Sequence, residues 1–311
     1  MCTAICMNAG DFYFARSMDI EYKLVGSVTV TPQNYRFEFT NGEILKNHYA
    51  IIGMAVVKKG YPLYAEAANQ AGLCMAALSF PDSARYSNST HEKANFAPFE
   101  LIPYVLCKCK NISEAKNKLK HATLVDLPFD EQTPNTPLHW IIADKNGAVV
   151  AEQTEQGLAI YDDPFGVLTN NPPFPFHTEN VRAYRNLSPE YDCSGVFSDL
   201  PPLGGGACTN GLPGDYSSPS RFIKAAFLRR VCKPKENTQD NSSHMLSLIG
   251  AVAPPKGAVL DQNGRPHYAV YSCCINADKG IYYLHKYESN DTEEFRLSQH
   301  DLTDSHLKTL T

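Results

Sequence analysis

The stretch Cys2-Thr3-Ala4-Ile5-Cys6-Met7-Asn8-Ala9-Gly10-Asp11-Phe12-Tyr13-Phe14-Ala15-Arg16-Ser17-Met18-Asp19 decides how the rest of the sequence is read. Residues 2–7 are mostly apolar, 8–11 carry a turn signal, and 12–19 read as a second strand. The chain therefore opens as a hairpin. Arg16 and Asp19 lie three apart on a strand that can pair with the one starting at Cys2. A cation near a thiol favours the thiolate, and a carboxylate can hold an amine. An Arg and an Asp on a strand are otherwise an ordinary surface pair.

Cys2 differs from the other nine cysteines by its place. Aminopeptidases remove Met1 when the second residue is small. The thiol would then sit beside a free α-amine, a group that titrates near ~7.7–8.0. Such an amine accepts the thiol's proton near neutral pH and returns it to a leaving amine. Nucleophile and base then belong to one residue, as in hydrolases with an N-terminal Thr or Cys.

Working outward, the chain has 311 residues, 43% of them hydrophobic and 20% charged. That length allows about two domains at roughly 150 residues each, although large layered sheets run longer as one unit. The net charge of -5 argues against a nucleic-acid binder, which needs clustered cations. Lys108, Lys110, Lys116, Lys118 and Lys120 fall on one helical region and read as a solvated face. No run of about 18 apolar residues exists, so no membrane insertion is expected. The start lacks the pattern of a secretory signal, which predicts a cytoplasmic protein.

Ten cysteines in a reducing compartment should be mostly free thiols serving as small core residues. No C-x-x-C occurs, and the ten histidines show no H-E-x-x-H, so no metal and no cofactor is expected. Gly204-Gly205-Gly206 lacks the G-K-[ST] of a phosphate loop and reads as the start of a mobile loop. There is no G-x-S-x-G elbow.

Strands are predicted over 28–31, 48–57 and 72–80. Helices follow over 99–109 and 111–121, the second with Asn111 and Glu114 as a capping box. Residues 128–137 form a loop, and 139–144, 148–153 and 158–161 a meander. Ser218 and Pro219 open a helix that contains Arg221 and runs to about 232. A polar loop over 233–243, a helix over 245–252 and a hairpin of 268–275 with 281–287 complete the pattern. Strands at both ends and in the middle, with helices between, give an α+β layered fold.

Further ordered motifs are Asn69-Gln70-Ala71-Gly72-Leu73, Pro134-Asn135-Thr136-Pro137-Leu138-His139-Trp140 and Gly166-Val167-Leu168-Thr169-Asn170. Gly211-Leu212-Pro213-Gly214-Asp215 and Ser220-Arg221-Phe222 follow. With Met1-Cys2-Thr3 and Phe14-Ala15-Arg16-Ser17-Met18-Asp19, these resemble the choloylglycine hydrolase family over nearly the whole chain. That family holds bile salt hydrolases and penicillin V acylases. The resemblance implies the four-layer αββα fold of the N-terminal nucleophile hydrolases, as one catalytic unit over 1–311. It implies cleavage of the amide between a bile acid and glycine or taurine, through a thioester on Cys2. Arg16 and Asp19 would position and polarise Cys2. Asn170 would donate its side-chain amide to the oxyanion, and Arg221 would complete the polar shell. The backbone N–H of Ser79 would serve the same oxyanion. Met18, Val57, Phe129 and Leu138 would line the apolar acyl pocket, and the family implies a homotetramer.

Two positions depart from the family pattern. Ser79 stands where bile salt hydrolases commonly carry Asn and penicillin V acylases Tyr, which favours the bile salts mildly. Lys58-Lys59 stand near where an aromatic would pack on the sterol; they could meet a polar sterol face or point to water. A penicillin V acylase, or an acylase of related N-acyl compounds, is the closest alternative. A non-catalytic thiol redox sensor, suggested by the ten cysteines, is the alternative of another class.

Overall fold

Gly10 takes a φ of +83° at the tip of the opening hairpin, a conformation that costs glycine nothing. The strands it joins are β1 (Cys2–Ala9) and β2 (Asp11–Ile20). The computed structural model describes residues 1–23, 26–88, 94–234 and 240–310. In chain order the other principal strands begin with β3 (Ser27–Thr31), β4 (Ile51–Lys58), β5 (Tyr61–Asn69) and β6 (Cys74–Ser79). Then come β7 (Leu138–Asp144), β8 (Gly147–Thr154), β9 (Gly157–Asp162) and β10 (Val167–Leu168). The last are β11 (Val259–Leu260), β12 (Pro266–Asn276), β13 (Ile281–Lys286), β14 (Thr292–Arg296) and β15 (Lys308–Thr309).

One antiparallel sheet runs β10-β1-β2-β12-β13-β14, with β11 on β12; the other runs β9-β8-β7-β6-β5-β4-β3-β15. Helices α1 (Leu101–Lys108) and α2 (Ile112–Leu119) pack on the second sheet. A short helix α3 (Phe174–Asn180) follows β10, and α4 (Ser218–Val231) and α5 (Ser242–Gly250) pack on the first sheet. This is the αββα layering of the N-terminal nucleophile hydrolases.

Both central sheets are covered on two faces, so their strands are apolar throughout rather than alternating. On β7, Ile141 and Ala143 point into the space between the sheets, while Trp140 and Ile142 face α1. Alternation on β6 divides Cys74, Ala76 and Leu78 from Met75 and Ala77 in the same way.

Several local expectations need correcting. β5 was not foreseen as a strand, because Pro62 and Glu66 interrupt its apolar run. Ser217, not Ser218, precedes the first turn of α4. Asn111 caps α2 by accepting from the Glu114 N–H at 2.9 Å, but the Glu114 carboxylate reaches back to the Lys110 N–H instead of closing the box on Asn111. The basic cluster is divided between two helices, where Lys108 pairs with Glu43 and Lys116 with Asp162. Of the polar segment 233–243, residues 235–239 lie outside the described residues, and Asn241 and Ser242 are buried at the start of α5. Eight cysteines are free; the exception is a disulfide joining Cys193 to Cys208. That bridge and a short helical turn over Ala207–Thr209 give structure just beyond the three glycines. Among the described residues, no helix is long and apolar enough to cross a membrane.

Candidate active site

Strand register places the first chemistry. Cys2 pairs with Met18 and Ala4 with Arg16, so these four side chains share the face of the hairpin that looks at the other sheet. Asp19 points to the opposite face. Arg16 and Asp19 therefore approach Cys2 from different sides, which their spacing of three on a strand requires.

On the inner face, Arg16 Nη2 donates to Cys2 Sγ at 2.9 Å, and Met18 Sδ lies 3.9 Å from the same sulfur. Arg16 is fully buried. Its Nη1 donates to Glu66 Oε2 at 2.9 Å and to the carbonyls of Ala65 and Ala77 at 3.2 and 3.3 Å. Burial opposes its charge, but the neighbouring Cys2, Tyr271 and Glu66 outweigh burial and hold the guanidinium well above its ordinary pKa.

On the outer face, Asp19 is buried and neither carboxylate oxygen has a hydrogen-bond partner among the described residues. Burial raises its pKa, opposed first by Arg221 and then by the N-terminal ammonium. Met1 continues β1: its ammonium donates to the Asp19 carbonyl at 2.6 Å, and the Asp19 N–H donates to the Met1 carbonyl at 3.0 Å.

Asn170 follows β10. Its Oδ1 accepts from the Cys2 N–H at 3.0 Å and from Arg221 Nη2 at 2.6 Å. Its Nδ2 spends one hydrogen on the Ser79 carbonyl at 2.7 Å, which leaves the second. Arg221 comes from the first turns of α4 and is buried. Its Nη1 donates to the Cys2 carbonyl at 2.5 Å and to Thr3 Oγ1 at 2.6 Å. Burial lowers its pKa.

Ser79 owes its availability to a lapse in pairing. The β5–β6 ladder ends at Glu66–Ala76, while β6 stays paired to β7 through Ser79–Leu138. Phe80 N–H donates to the Pro137 carbonyl, which makes the adjacent Ser79–Leu138 pair a non-hydrogen-bonded one. The backbone N–H and C=O of Ser79 therefore turn toward the unpaired edge. Side chains of the site occupy that edge, with Arg16 on the Ala77 carbonyl and Asn170 on that of Ser79.

Phe129 and Leu138 line a cavity of about 170 Å³ with Leu63, Ala77, Phe99 and Ile102. Ala77 joins this cavity to the site, since its carbonyl takes Arg16. Met18 lies at the sulfur instead. Val57 is 40% exposed and pairs with Pro62, beside the turn of Lys58 and Lys59 rather than on the walls of that cavity. Lys58 and Lys59 do not reach out to water alone. Their Nζ atoms pair with the two oxygens of Asp130, at 2.9 and 3.0 Å, and Lys58 also contacts Thr133. Asp130 follows Phe129, so both cations hold the loop that walls the cavity.

Three supporting residues were missed. Glu66 meets Arg16. The Glu152 carboxylate faces His139 Nδ1 at 2.9 Å and accepts the Phe174 N–H, while His139 Nε2 meets the Thr169 carbonyl at 3.1 Å. His177 Nε2 donates to the Asn170 carbonyl at 2.9 Å and the ring stacks on Phe222. The legible signal was a lone carboxylate in an apolar run, as in Ala65-Glu66-Ala67-Ala68 and Val150-Ala151-Glu152. Glu21, Asp261 and His267 also converge, but Arg265 Nη2 bridges the two carboxylates.

The model of the linear amide C–N hydrolases of the choloylglycine hydrolase family matches residues 2–310. The chain belongs to the choloylglycine hydrolase family. It is 39% identical to a bile salt hydrolase/transferase of Lactiplantibacillus plantarum, over 99% of this chain and 95% of that one. It is 34% identical to a bile salt hydrolase/transferase of Clostridium perfringens, over 99% and 96%. A crystal structure of the C2A mutant of conjugated bile acid hydrolase from Clostridium perfringens superposes with a TM-score of 0.92 at 32% identity, covering 100% of this chain and 97% of that one. Penicillin V acylase from Agrobacterium tumefaciens superposes at 0.79, covering 99% and 91%; at 17% identity it shares the fold. As a member of this family the chain is a hydrolase of linear amides. A thiol sensor is the poorer description: burial pushes Cys6 up to about 12 and raises Cys74, Cys273 and Cys274 well above the ordinary thiol value.

Proposed function

We propose that this enzyme hydrolyses the amide joining a bile acid to glycine or taurine, with Cys2 as nucleophile after loss of Met1. The observation that carries the reading is the buried Asp19 carboxylate, which Arg221, the chain's N-terminal ammonium and the Ser17 hydroxyl surround and which makes no well-formed hydrogen bond among the described residues. An amine freed at Cys2 would fill that buried acceptor. In the neutral form it would take the thiol's proton, leaving a thiolate faced by Arg16 Nη2. Attack on the amide carbon forms a tetrahedral oxyanion. The second Nδ2 hydrogen of Asn170 and the N–H of Ser79 are the donors for that charge. Arg221 holds Asn170 and the Cys2 carbonyl in place. Collapse breaks the C–N bond, and the glycine or taurine leaves with the proton held by the α-amine. Water then attacks the thioester, its proton passing to the same amine, and releases the bile acid.

The acyl group would lie in the cavity of Phe129 and Leu138, with Met18 at the sulfur; Val57 is left outside this reading. Residues 1–311 act as one catalytic unit. The enzyme works in the cytoplasm, in keeping with eight free cysteines. It assembles as a homotetramer, for which the exposed Tyr191, Val196, Phe197, Leu200 and Leu203 offer surface that a second copy would cover.

Intact-mass measurement of the active enzyme should show one Met lost and a free N-terminal Cys. Full activity with Met1 retained would end the mechanism, because the amine would be locked in a peptide bond. Glycocholate, taurocholate and penicillin V compared by kcat/KM decide the substrate class, with the conjugated bile salts expected to lead. Better turnover of penicillin V would replace the substrate assignment and leave Cys2 untouched.

A further inference from the structure

Glu66 is wholly buried in the layer between the two sheets, and its carboxylate is saturated by donors from three strands. Oε2 accepts Arg16 Nη1 at 2.9 Å and the Tyr271 hydroxyl at 2.8 Å. Oε1 accepts the Tyr282 hydroxyl at 2.6 Å, Tyr271 at 3.1 Å and the Cys273 thiol at 3.6 Å. Tyr271 and Tyr282 are themselves buried on β12 and β13. A carboxylate taken this far from water is retained only where it is paired and hydrogen-bonded, and here each partner is fixed by sheet register.

The consequence lies at Arg16. A guanidinium is planar, so fixing Nη1 from one side also fixes the direction of Nη2. Glu66 and the carbonyls of Ala65 and Ala77 hold Nη1; Nη2 is thereby aimed at Cys2 Sγ, with Met18 Sδ as a weaker, neutral acceptor at 3.4 Å. Among the described residues Nε has no partner, so it does not orient the plane. The backbone carbonyls lie 3.2 and 3.3 Å away, longer than the ionic contact.

We propose that Glu66, locked by Tyr271 and Tyr282, is a positioning residue for the reaction: it sets the plane of Arg16 and so the contact between Arg16 and the nucleophile. This rests on the reading of Cys2 and Arg16 given above. Glu66 touches neither the Cys2 sulfur nor the cavity of Phe129 and Leu138, so its loss should act on the chemical step and not on acyl binding.

The experiment uses the processed full-length enzyme and glycocholate. Glu66→Gln should lower kcat by about ten- to a hundredfold with KM within about twofold, tenfold corresponding to about 1.4 kcal/mol. The rate of Cys2 alkylation by iodoacetamide, read by peptide mass, should fall with kcat. Glu66→Asp should recover part of both. Tyr282→Phe, which removes one donor from Oε1 and leaves Arg16 in place, should show the same signature at about two- to fivefold, and it serves where Glu66→Gln does not fold. A folded Glu66→Gln enzyme, or failing that Tyr282→Phe, with unchanged kcat and alkylation rate would overturn the proposal while Arg16→Met remained inactive. Full activity in Arg16→Met would instead remove the reading of Arg16 on which it rests.

Discussion

Two charged clusters flank the site, one between the sheets and one on the loop that walls the cavity. Arg16 and Glu66 meet between the sheets with both side chains fully excluded from water. Lys58 and Lys59 meet Asp130 at the rim, where the lysines are 29% and 68% exposed. The first is fixed by neighbouring strands and lies out of reach of salt. The second joins a β-turn to a loop and stands in a screened medium, where such pairs contribute little. On the proposed mechanism the chemistry depends on the inner pair. The outer cluster fixes only the loop of Phe129, so its loss should leave the neighbours of the Cys2 sulfur in place.

The inner region should be the less tolerant by orders of magnitude. Cys2→Ser should lose nearly all turnover with the melting temperature almost unchanged, because a hydroxyl ionises far less readily than a thiol. Cys273→Ser, beside Glu66, should by contrast alter stability more than rate. Loss of turnover in Cys273→Ser with folding preserved, and not in Cys2→Ser, would put the nucleophile elsewhere.

Asn170→Ala comes next. A missing oxyanion donor costs about 10²–10³ in kcat, and KM should move little. A rise in KM alone would make Asn170 a binding residue.

The outer pair predicts less and in a different manner. Asp130→Asn should reduce kcat/KM for a bulky conjugated bile salt by no more than about fivefold at low salt, with kcat preserved. Raising ionic strength should bring the parent enzyme down to the variant. A difference that survives high salt would mean that packing of Phe129 on Tyr61 and Phe99, at 5.8 and 5.3 Å, holds the loop instead.

The smallest effect tests the support of Asn170. Burial lowers the pKa of His177 below the ordinary histidine value. The unfolded chain therefore binds the proton more readily, and this residue's contribution is present above the unfolded value of about 6.5 and lost as pH falls below it. Denaturant titrations at pH 7 and 5.5 should show a loss of stability on acidification that is smaller in His177→Gln. Equal losses would assign the pH dependence to other groups.

How much of this was legible beforehand follows from the same physics. The hairpin was, because periodicity and a turn signal are local. That Cys2, Arg16, Asn170 and Arg221 come together was legible too, through the motifs that carry the family likeness. Their opposed geometry was not: that Arg16 and Asp19 face opposite sides follows from strand alternation, but which side meets the sulfur depends on the second sheet. Glu66, Glu152 and His177 escaped because a buried carboxylate or imidazole looks like any other in a sequence until its distant partner is placed. Tyr271 and Tyr282 lie more than 200 positions from Glu66.

On the proposed removal of Met1, its two hydrogen bonds with Asp19 impose an order on biosynthesis. An aminopeptidase needs a free, extended end, and in the finished fold that end is stitched into the hairpin. The neighbour that locks β2 into its sheet is β12, which begins at Pro266, so residues 21–266 must be added after β2 is complete. At ~5–20 residues per second, translation keeps the first strand without its far neighbour for on the order of ten to fifty seconds. Trimming belongs in that interval. A chain that closes its sheet first would keep its methionine and remain a folded but unborn enzyme.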